Sequence, residues 1–390
     1  MAGIEVELHS DSEDLRELCR QYWQVTEGGK FAYSVSELAD AFKINRSGVQ
    51  ATVAANSTGY SREQSCADCG APRPFKSRSD YENAKKTARW GSWVCEDCQS
   101  DRRADAEQSA QRKAQIRHEQ IQKELDAKRR RGLSIEHLSF RDAVFLLSIL
   151  RVGGAENLTY IAPHDTFQVL LSPTTEFDRA ILNELYERSV ICIHPGSREE
   201  SITMEDGQFT SFYPFKVHWI LPLPDGGPSP MRFLEQLETV LNSDQWPKEW
   251  TDQAAELHRT IALHECLQYL RVSLEEHGFD LKAGDKTHLV LTTALKTFSI
   301  GQVYNFIWRA ARDAAAFYVR EETSRAHAAN IVPGSIQRMA ERALAERWEV
   351  KPYRRDFRAP QSIVSQVLFT VALKLPEGGF NAVPPRVNLS

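Results

Sequence analysis

Four cysteines form two CxxC pairs that are separated by 25 residues, Cys66 with Cys69 and Cys95 with Cys98. A two-residue gap lets both thiolates of a pair turn toward one ion, and two such pairs supply the four ligands of a closed tetrahedral zinc site. No coordination position then remains to activate water. The spacing therefore predicts one structural Zn²⁺ ion. A redox dithiol or a chance pair of motifs is the alternative.

The cysteine segment resembles the zinc ribbons of nucleic-acid-binding and transcription-related proteins over residues 61–100. Gly70 follows Cys69 directly, where a metal knuckle needs a tight backbone turn. The resemblance implies a nucleic-acid partner for this segment.

Basic residues and aromatic rings alternate between the two cysteine pairs. Cations neutralise phosphates and exposed rings stack on bases, so this segment predicts a nucleic-acid surface. In the alternative, the aromatic rings form the core of the ribbon and the charges only keep it hydrated. The candidate contacts are Lys76, Arg78, Lys85, Lys86 and Arg89, with Phe75, Tyr81, Trp90 and Trp93 as the rings.

A pair of short helices is predicted before the zinc segment, in SVSELADAFKINRSGVQATVAAN (34–56). Ser34 or Ser36 caps the first helix, whose apolar side contains Leu38 and Ala39. The stretch is similar to the helix-turn-helix of bacterial transcription regulators, in which the second helix enters the major groove. The resemblance implies base or phosphate contacts by Arg46, Ser47, Gln50 and Thr52. An ordinary helix pair in a core remains the alternative.

A polar stretch over 100–132 ends in the basic run 128–131 and predicts a long solvated helix or a flexible connector. Arg129 and Arg130 of this run are candidate phosphate contacts. Such a charge run also serves as a solvated boundary between domains.

Helix signals and two β-rich runs follow the connector. Ser139 with Asp142, and Thr175 with Asp178, are predicted capping boxes. The β-rich runs VICIHPGS (190–197) and FKVHWILPL (215–223) predict a hairpin, so helices followed by a hairpin indicate a winged-helix-like unit. From about residue 231 the apolar periodicity is helical throughout, which predicts an independent helical domain.

The segment KPYRRDFRAP (351–360) concentrates arginines between two prolines. Arginine forks bind phosphate or carboxylate in bidentate fashion, so Arg354, Arg355 and Arg358 are candidates for a nucleic-acid backbone, an acidic partner or the acidic helices of the chain itself. For catalysis, the best candidates are His258 and Glu265, which lie two helical turns apart on one face. Because the common catalytic and nucleotide-binding motifs are missing, we expect no enzymatic activity.

Composition places further limits on the function. The net charge is −5, yet residues 60–135 contain 17 Lys and Arg against 12 Asp and Glu, a local charge of +5. Four zinc-bound thiolates reduce that local charge to about +3, so charge alone identifies no polyanion partner. Cys19, Cys192 and Cys266 stand alone in apolar stretches and are predicted to be buried thiols. No signal peptide or membrane span is indicated, so a cytoplasmic location is expected.

The sequence as a whole predicts a mainly α protein with small β parts, an α+β class. The predicted order is a helix-turn-helix domain (1–60), a zinc ribbon (61–100), a charged helical connector (101–133), a winged-helix-like unit (134–228) and a helical C-terminal domain (229–390). The expected function is non-catalytic nucleic-acid binding, to DNA rather than RNA, with the C-terminal domain assembling with itself or with a protein partner. The first alternative is a protein-protein interaction subunit of a larger complex, with the zinc ribbon and the winged helix as docking modules. The second is an enzyme with an unfamiliar site in the C-terminal half.

Overall fold

The structure is a computed structural model that describes residues 4–87, 92–280 and 282–383. These residues are mainly helical with small antiparallel sheets, which confirms the α+β class. The chain divides into two compact units, Met1–Lys113 and Ala114–Ser390. The finer five-part division stays a prediction.

The first unit contains three strands and five helices within its described residues. The strands are β1 (Ile4–Leu8), β2 (Ser57–Ser65) and β3 (Pro72–Phe75), and the helices are α1 (Glu13–Trp23), α2 (Val35–Ala41), α3 (Arg46–Asn56), α4 (Arg78–Thr87) and α5 (Glu96–Arg131), which continues past Lys113.

The core of the first unit lies between helices α1, α2 and α3 and an antiparallel sheet of order β1-β2-β3. Helix α3 passes directly into β2, because Ser57 adopts extended backbone angles right after Asn56. Trp23 is buried in this core and its ring lies over Gly59, where an added Cβ would come within 3.0 Å of the ring. Only glycine fits there, so the sheet can approach α1 closely.

The second unit contains nine further α-helices and four short strands among its described residues. The helices are α6 (Phe140–Gly153), α7 (Thr175–Glu187), α8 (Pro230–Leu241), α9 (Lys248–Glu275), α10 (Asp285–Ala294), α11 (Ile300–Arg320), α12 (Arg325–Asn330), α13 (Val332–Ala345) and α14 (Ile363–Gln366), which a π-helical turn extends (Val367–Ala372). The strands are β4 (Cys192–Ile193), β5 (Ile202–Glu205), β6 (Gln208–Phe212) and β7 (Trp219–Ile220).

Helix α6 is the central element of the second unit. It is buried along most of its length and packs against α8 and α9, while α9 packs against α11. Its N-terminus has the predicted capping box of Ser139 and Asp142. A helix with so little exposed surface is apolar on nearly all sides, as the run AVFLLSIL shows.

The β-rich runs pair with each other, as the sequence predicts. Cys192 lies opposite Ile220 and Ile193 opposite Trp219 in the antiparallel pair β4–β7. The polar stretch between the two runs is not an irregular loop. It forms a second antiparallel hairpin from β5 and β6. Asp206 and Gly207 turn this hairpin with positive φ angles of 49° and 73°.

In the described parts of the chain, every helix is too short or too polar to cross a bilayer.

Candidate metal centre and basic surfaces

The four cysteines predicted as zinc ligands come together in the first unit. Their Sγ atoms all lie within 4.8 Å of one another, and the Sγ atoms of Cys69 and Cys95 are 3.7 Å apart. Zn–S bonds of about 2.3 Å in a tetrahedron place two sulfurs about 3.8 Å apart. A disulfide requires about 2.05 Å. The spacing therefore matches four ligands around one ion and does not match a disulfide.

The first cysteine pair lies in the turn between β2 and β3. The backbone amide of Cys66 donates to the carbonyl of Ala71 (2.8 Å), and that of Gly70 donates to the carbonyl of Cys66 (3.0 Å). Gly70 has a φ angle of +75°, a conformation that favours glycine. These bonds close a tight turn that directs the first two thiols to the same side.

The second cysteine pair lies at the start of α5. Cys95 immediately precedes the helix, and the backbone amide of Cys98 donates to its Sγ atom at 3.4 Å. A helix N-terminus carries a partial positive charge and unpaired amides, so it stabilises a thiolate there. The helix that follows the zinc segment therefore helps to build the site.

Two contacts connect the cysteine pairs to each other. The amide of Cys95 donates to Cys66 Sγ (3.3 Å), and the amide of Ala67 donates to the carbonyl of Trp93 (2.9 Å). An ion pair between Asp68 and Arg102 of α5 joins the same segments. This pair was missed in the sequence because the two residues are 34 positions apart.

The thiols differ in acidity. Amide hydrogen bonds, first from Cys69 and then from Cys95, lower the pKa of Cys66 to about 6. Hydrogen bonding to Cys95 raises the pKa of Cys98, as expected where a second thiol sits beside a thiolate. A bound cation favours the thiolate form of all four groups. Their sulfur donors and closed geometry fit Zn²⁺ and leave no position for a substrate.

The helix α3 carries the residues predicted to contact bases. Arg46, Ser47 and Gln50 are exposed, whereas Thr52 is half-buried and its carbonyl accepts from Asn56 Nδ2 at 2.7 Å. Asn45 caps the helix by accepting from the Ser47 amide at 3.2 Å. Three of the four predicted side chains are therefore accessible, and they lie on the N-terminal half of α3.

Arg78 is engaged inside the first unit. Its Nε atom donates to the Tyr22 carbonyl at 2.7 Å and its Nη1 atom to the Tyr33 carbonyl at 2.6 Å. The guanidinium also lies over the rings of Tyr22 and Phe31, at 4.3 and 4.4 Å from their centroids. These contacts connect α4 to the end of α1 and the loop after it, so a structural role explains this arginine.

The other candidates between the cysteine pairs vary in exposure. Lys76 and Lys86 are exposed. Lys85 lies over the Tyr81 ring, 4.8 Å from its centroid, and a hydrogen bond with the Tyr81 hydroxyl is the main cause that raises the pKa of Lys85. Arg89 and Trp90 lie outside the described residues. Phe75 and Tyr81 are buried in the core of the unit, so for these two rings the core alternative holds. Trp93 is half-buried beneath Arg73 (5.5 Å).

The remaining candidates belong to the second unit. Arg130 is exposed, while Arg129 is half-buried near Asp126 (4.0 Å). In the proline-bounded segment Arg354 is exposed, whereas Arg355 pairs with buried Glu265 of α9 at 2.7 Å. Arg358 pairs with Asp356 and with Glu276. Arg355 and Arg358 thus bind the chain's own acidic groups, one of the three alternatives predicted for them.

The predicted acid-base residues are placed in a packed interior. His258 and Glu265 are each 1% exposed. Burial lowers the pKa of His258 to about 4, and its ring packs edge-on against Phe369 at 4.9 Å. Glu265 is held by Arg355, so these two groups show no shared access for a substrate.

The chain was compared with protein-family models, with curated proteins and with solved structures, and no family model, curated protein or solved structure matches it.

Proposed function

We propose that the protein binds nucleic acid without catalysis and that a structural zinc ion organises the binding unit. The observation that carries this proposal is the accessible end of α3, where Arg46, Ser47 and Gln50 lie exposed on a helix that contains no acidic residue. Helix N-termini and arginine side chains contact phosphates, and glutamine reads adenine in the major groove.

In this proposal α2 and α3 act as the helix-turn-helix and the β2–β3 hairpin lies where a wing would. Three features support it: α1, α2 and α3 pack together, α3 leads directly into the hairpin, and the turn of the hairpin contains the first cysteine pair. Zinc then joins the hairpin turn to the start of α5, which fixes the direction of a small lobe with little core of its own. DNA is the proposed partner, because a helix of this kind fits the major groove of B-DNA.

The β4–β7 pair and helices α6 and α7 are proposed as a winged-helix-like part of the second unit, and α8 to α14 as its helical domain. The second unit is proposed to assemble with itself or with a partner. Exposed Leu289 of α10 and Leu344 of α13 line one apolar cavity of about 190 Å³, which supports an assembly role.

The experiment is a fluorescence-anisotropy titration of the zinc-loaded full chain with random duplex DNA and with random single strands, repeated at increasing salt. Arg46→Ala should weaken binding to all sequences and reduce the slope of log K against log salt by about one, the value for one lost phosphate contact. Arg20→Ala is the matched control, because Arg20 lies exposed on α1, pairs with Glu13 and Glu17, and carries the same charge.

If the zinc-loaded chain binds neither duplex nor single strands at low salt, the proposal is wrong. An equal loss in Arg46→Ala and Arg20→Ala would show that only net charge matters. In that case one observation favours the interaction-subunit alternative. Arg46 is the single charged residue of α3, and recognition helices of nucleic-acid-binding proteins usually carry more basic residues. Concentration-dependent mass of the purified chain then becomes the measurement that supports this alternative.

A further inference from the structure

A cavity of about 360 Å³ lies in the second unit where α5 ends, α7 ends and α6 begins. Its polar wall contains three full cations and one histidine, and its apolar wall contains leucine and valine side chains. This volume lies at the small end of ligand pockets, which span about 300–1,000 Å³. Its polar lining includes Lys128, Arg131, Ser134, His137, Asp142 and Arg188.

The cations of this wall are held in place to different degrees. Arg188 donates from Nε (3.0 Å) and Nη2 (2.7 Å) to Oδ2 of Asp142, which is 1% exposed. Lys128 pairs with Glu124 at 2.9 Å and lies 3.9 Å from the centroid of the Tyr186 ring. Both side chains are therefore oriented by neighbours before any ligand arrives.

Arg131 differs from these two cations. It is exposed at the last position of α5, and its guanidinium makes no ion pair or hydrogen bond within residues 4–87, 92–280 and 282–383. The basic run therefore supplies one uncompensated arginine to the cavity, which His137 also lines. His137 bonds only weakly to Ser134, at 3.3 Å.

Helix ends modify this charge but do not cancel it. The C-termini of α5 and α7 each add about half a negative charge, and the N-terminus of α6 opposes them with about half a positive charge. The remainder of about half a negative charge is smaller than the full charge of Arg131. An anionic group is therefore favoured in the cavity.

Asp142 supports the wall through the cation that it holds. Its Oδ2 atom accepts from Ser139 and Arg188, whereas its Oδ1 atom is fully buried and lacks a hydrogen-bond partner in the described parts of the chain. A ligand in the cavity therefore meets Arg188, which the Asp142 carboxylate orients, and does not meet the buried oxygen.

We propose that this cavity binds a phosphomonoester, with Arg131 as the main contact of the phosphate and Arg188 as a second one positioned by Asp142. Guanidinium groups bind phosphate oxygens in bidentate fashion, and the volume admits a body of nucleoside size beside the phosphate. The ligand is a free small phosphate or the 5′-phosphate end of a strand. The site is in the second unit and is independent of the function proposed for the zinc-containing unit.

Calorimetric titration of the full chain tests this assignment with adenosine 5′-monophosphate, with adenosine, and with a short single strand that carries either a 5′-phosphate or a 5′-hydroxyl. We expect one saturable site per chain for at least one phosphorylated probe and binding about tenfold weaker or more for its unphosphorylated counterpart. The small molecule or the strand is assigned as the source according to which phosphorylated probe binds more tightly.

Arg131→Ala should weaken that binding by about tenfold or more, whereas Arg130→Ala should leave it within about twofold. Arg130 is the matched control because it is the adjacent exposed arginine of the same run and does not line the cavity. Unchanged thermal unfolding of both variants establishes that they fold. Absence of saturable binding by every phosphorylated probe, or equal losses in the two variants, would overturn the proposal.

Discussion

Cys69 and Cys95 are 26 positions apart in the chain, yet their Sγ atoms lie 3.7 Å apart. One is in the turn after β2 and the other immediately before α5, so a single ion bound at this point would join a hairpin to a helix. Between the two cysteines, β3 and α4 are held by the core of the unit through Phe75 and Tyr81, so a bound ion would add a second connection at the hairpin turn and at the start of α5.

Replacing Cys95 with Ser should remove zinc from the chain and loosen the first unit. Three remaining thiols bind the ion much more weakly, and apparent binding energies of about 10–16 kcal/mol for structural zinc contribute directly to folding. Metal analysis should show less than one zinc per chain, and limited proteolysis should cut within the first unit while the second stays intact.

Cys192→Ala is the control for this experiment, because Cys192 is a buried thiol of the second unit. This variant should keep a zinc content of one per chain. Unchanged zinc and unchanged cleavage in Cys95→Ser would count against the metal site.

Local signals in the sequence predicted the metal site and much of the helix pair. The CxxC spacing depends on only two residues per knuckle, and the four thiols do converge. Ser34, one of the two predicted caps, caps α2; Leu38 and Ala39 are buried as predicted, and Ser139 caps α6 with Asp142. These features follow from neighbours within a few positions, which is why a single sequence reveals them.

Contacts between distant positions were not accessible in the same way. Arg78 was predicted as a surface residue, but its bonds to Tyr22 and Tyr33 depend on how α4 packs, and no local pattern encodes that packing. The predicted capping box of Thr175 and Asp178 is wrong: helix α7 has Thr174 as its N-cap, whose side chain accepts from the Phe177 amide. Asp178 instead accepts from the Ser172 amide and pairs with His164, contacts that the local pattern does not reveal.

Arg78→Ala should lower the stability of the first unit by about 2–3 kcal/mol, because two charge-assisted bonds to carbonyls are lost and those carbonyls lose their donors. Lys76→Ala, at an exposed position two residues earlier, should change it by less than about 0.5 kcal/mol. Urea unfolding followed by tryptophan fluorescence measures both. Equal stability of the two variants would contradict the internal role of Arg78.

Arg355→Ala should destabilise the second unit by about 3–5 kcal/mol, because Glu265 would keep a buried charge without its partner. Arg354→Ala removes an adjacent, exposed arginine and should leave the unfolding temperature nearly unchanged. Differential scanning calorimetry distinguishes the variants. If Arg354→Ala instead proves as harmful as Arg355→Ala, the ion pair with Glu265 does not explain the segment.

The double replacement Glu265→Leu with Arg355→Leu refines this test. Removing both partners leaves no unpaired buried charge, so the double variant should be more stable than Arg355→Ala. A double variant that is as unstable as the single one would show that packing, and not the charge, is responsible.

His258 predicts a loss of stability on acidification. Burial lowers its folded-state pKa to about 4, while an unfolded histidine titrates near 6.5. Between these values the unfolded chain binds more protons than the folded one. The free energy of unfolding is therefore highest above about pH 6.5, where the ring is neutral in both states, and it falls as the pH decreases toward 4. Linkage gives a loss of about 2 kcal/mol between pH 7.5 and pH 5 from this group.

The replacement His258→Phe isolates that contribution, because a ring of similar size still packs against Phe369 but cannot bind a proton. Urea unfolding at pH 7.5 and pH 5 should show a smaller difference in the variant than in the parent chain, by about 2 kcal/mol. His277→Gln, at an exposed histidine beyond the end of α9, should keep the parent difference. A His258→Phe chain that loses as much stability on acidification as the parent would place the source of the pH dependence in other groups, since only the ring at 258 differs between the two.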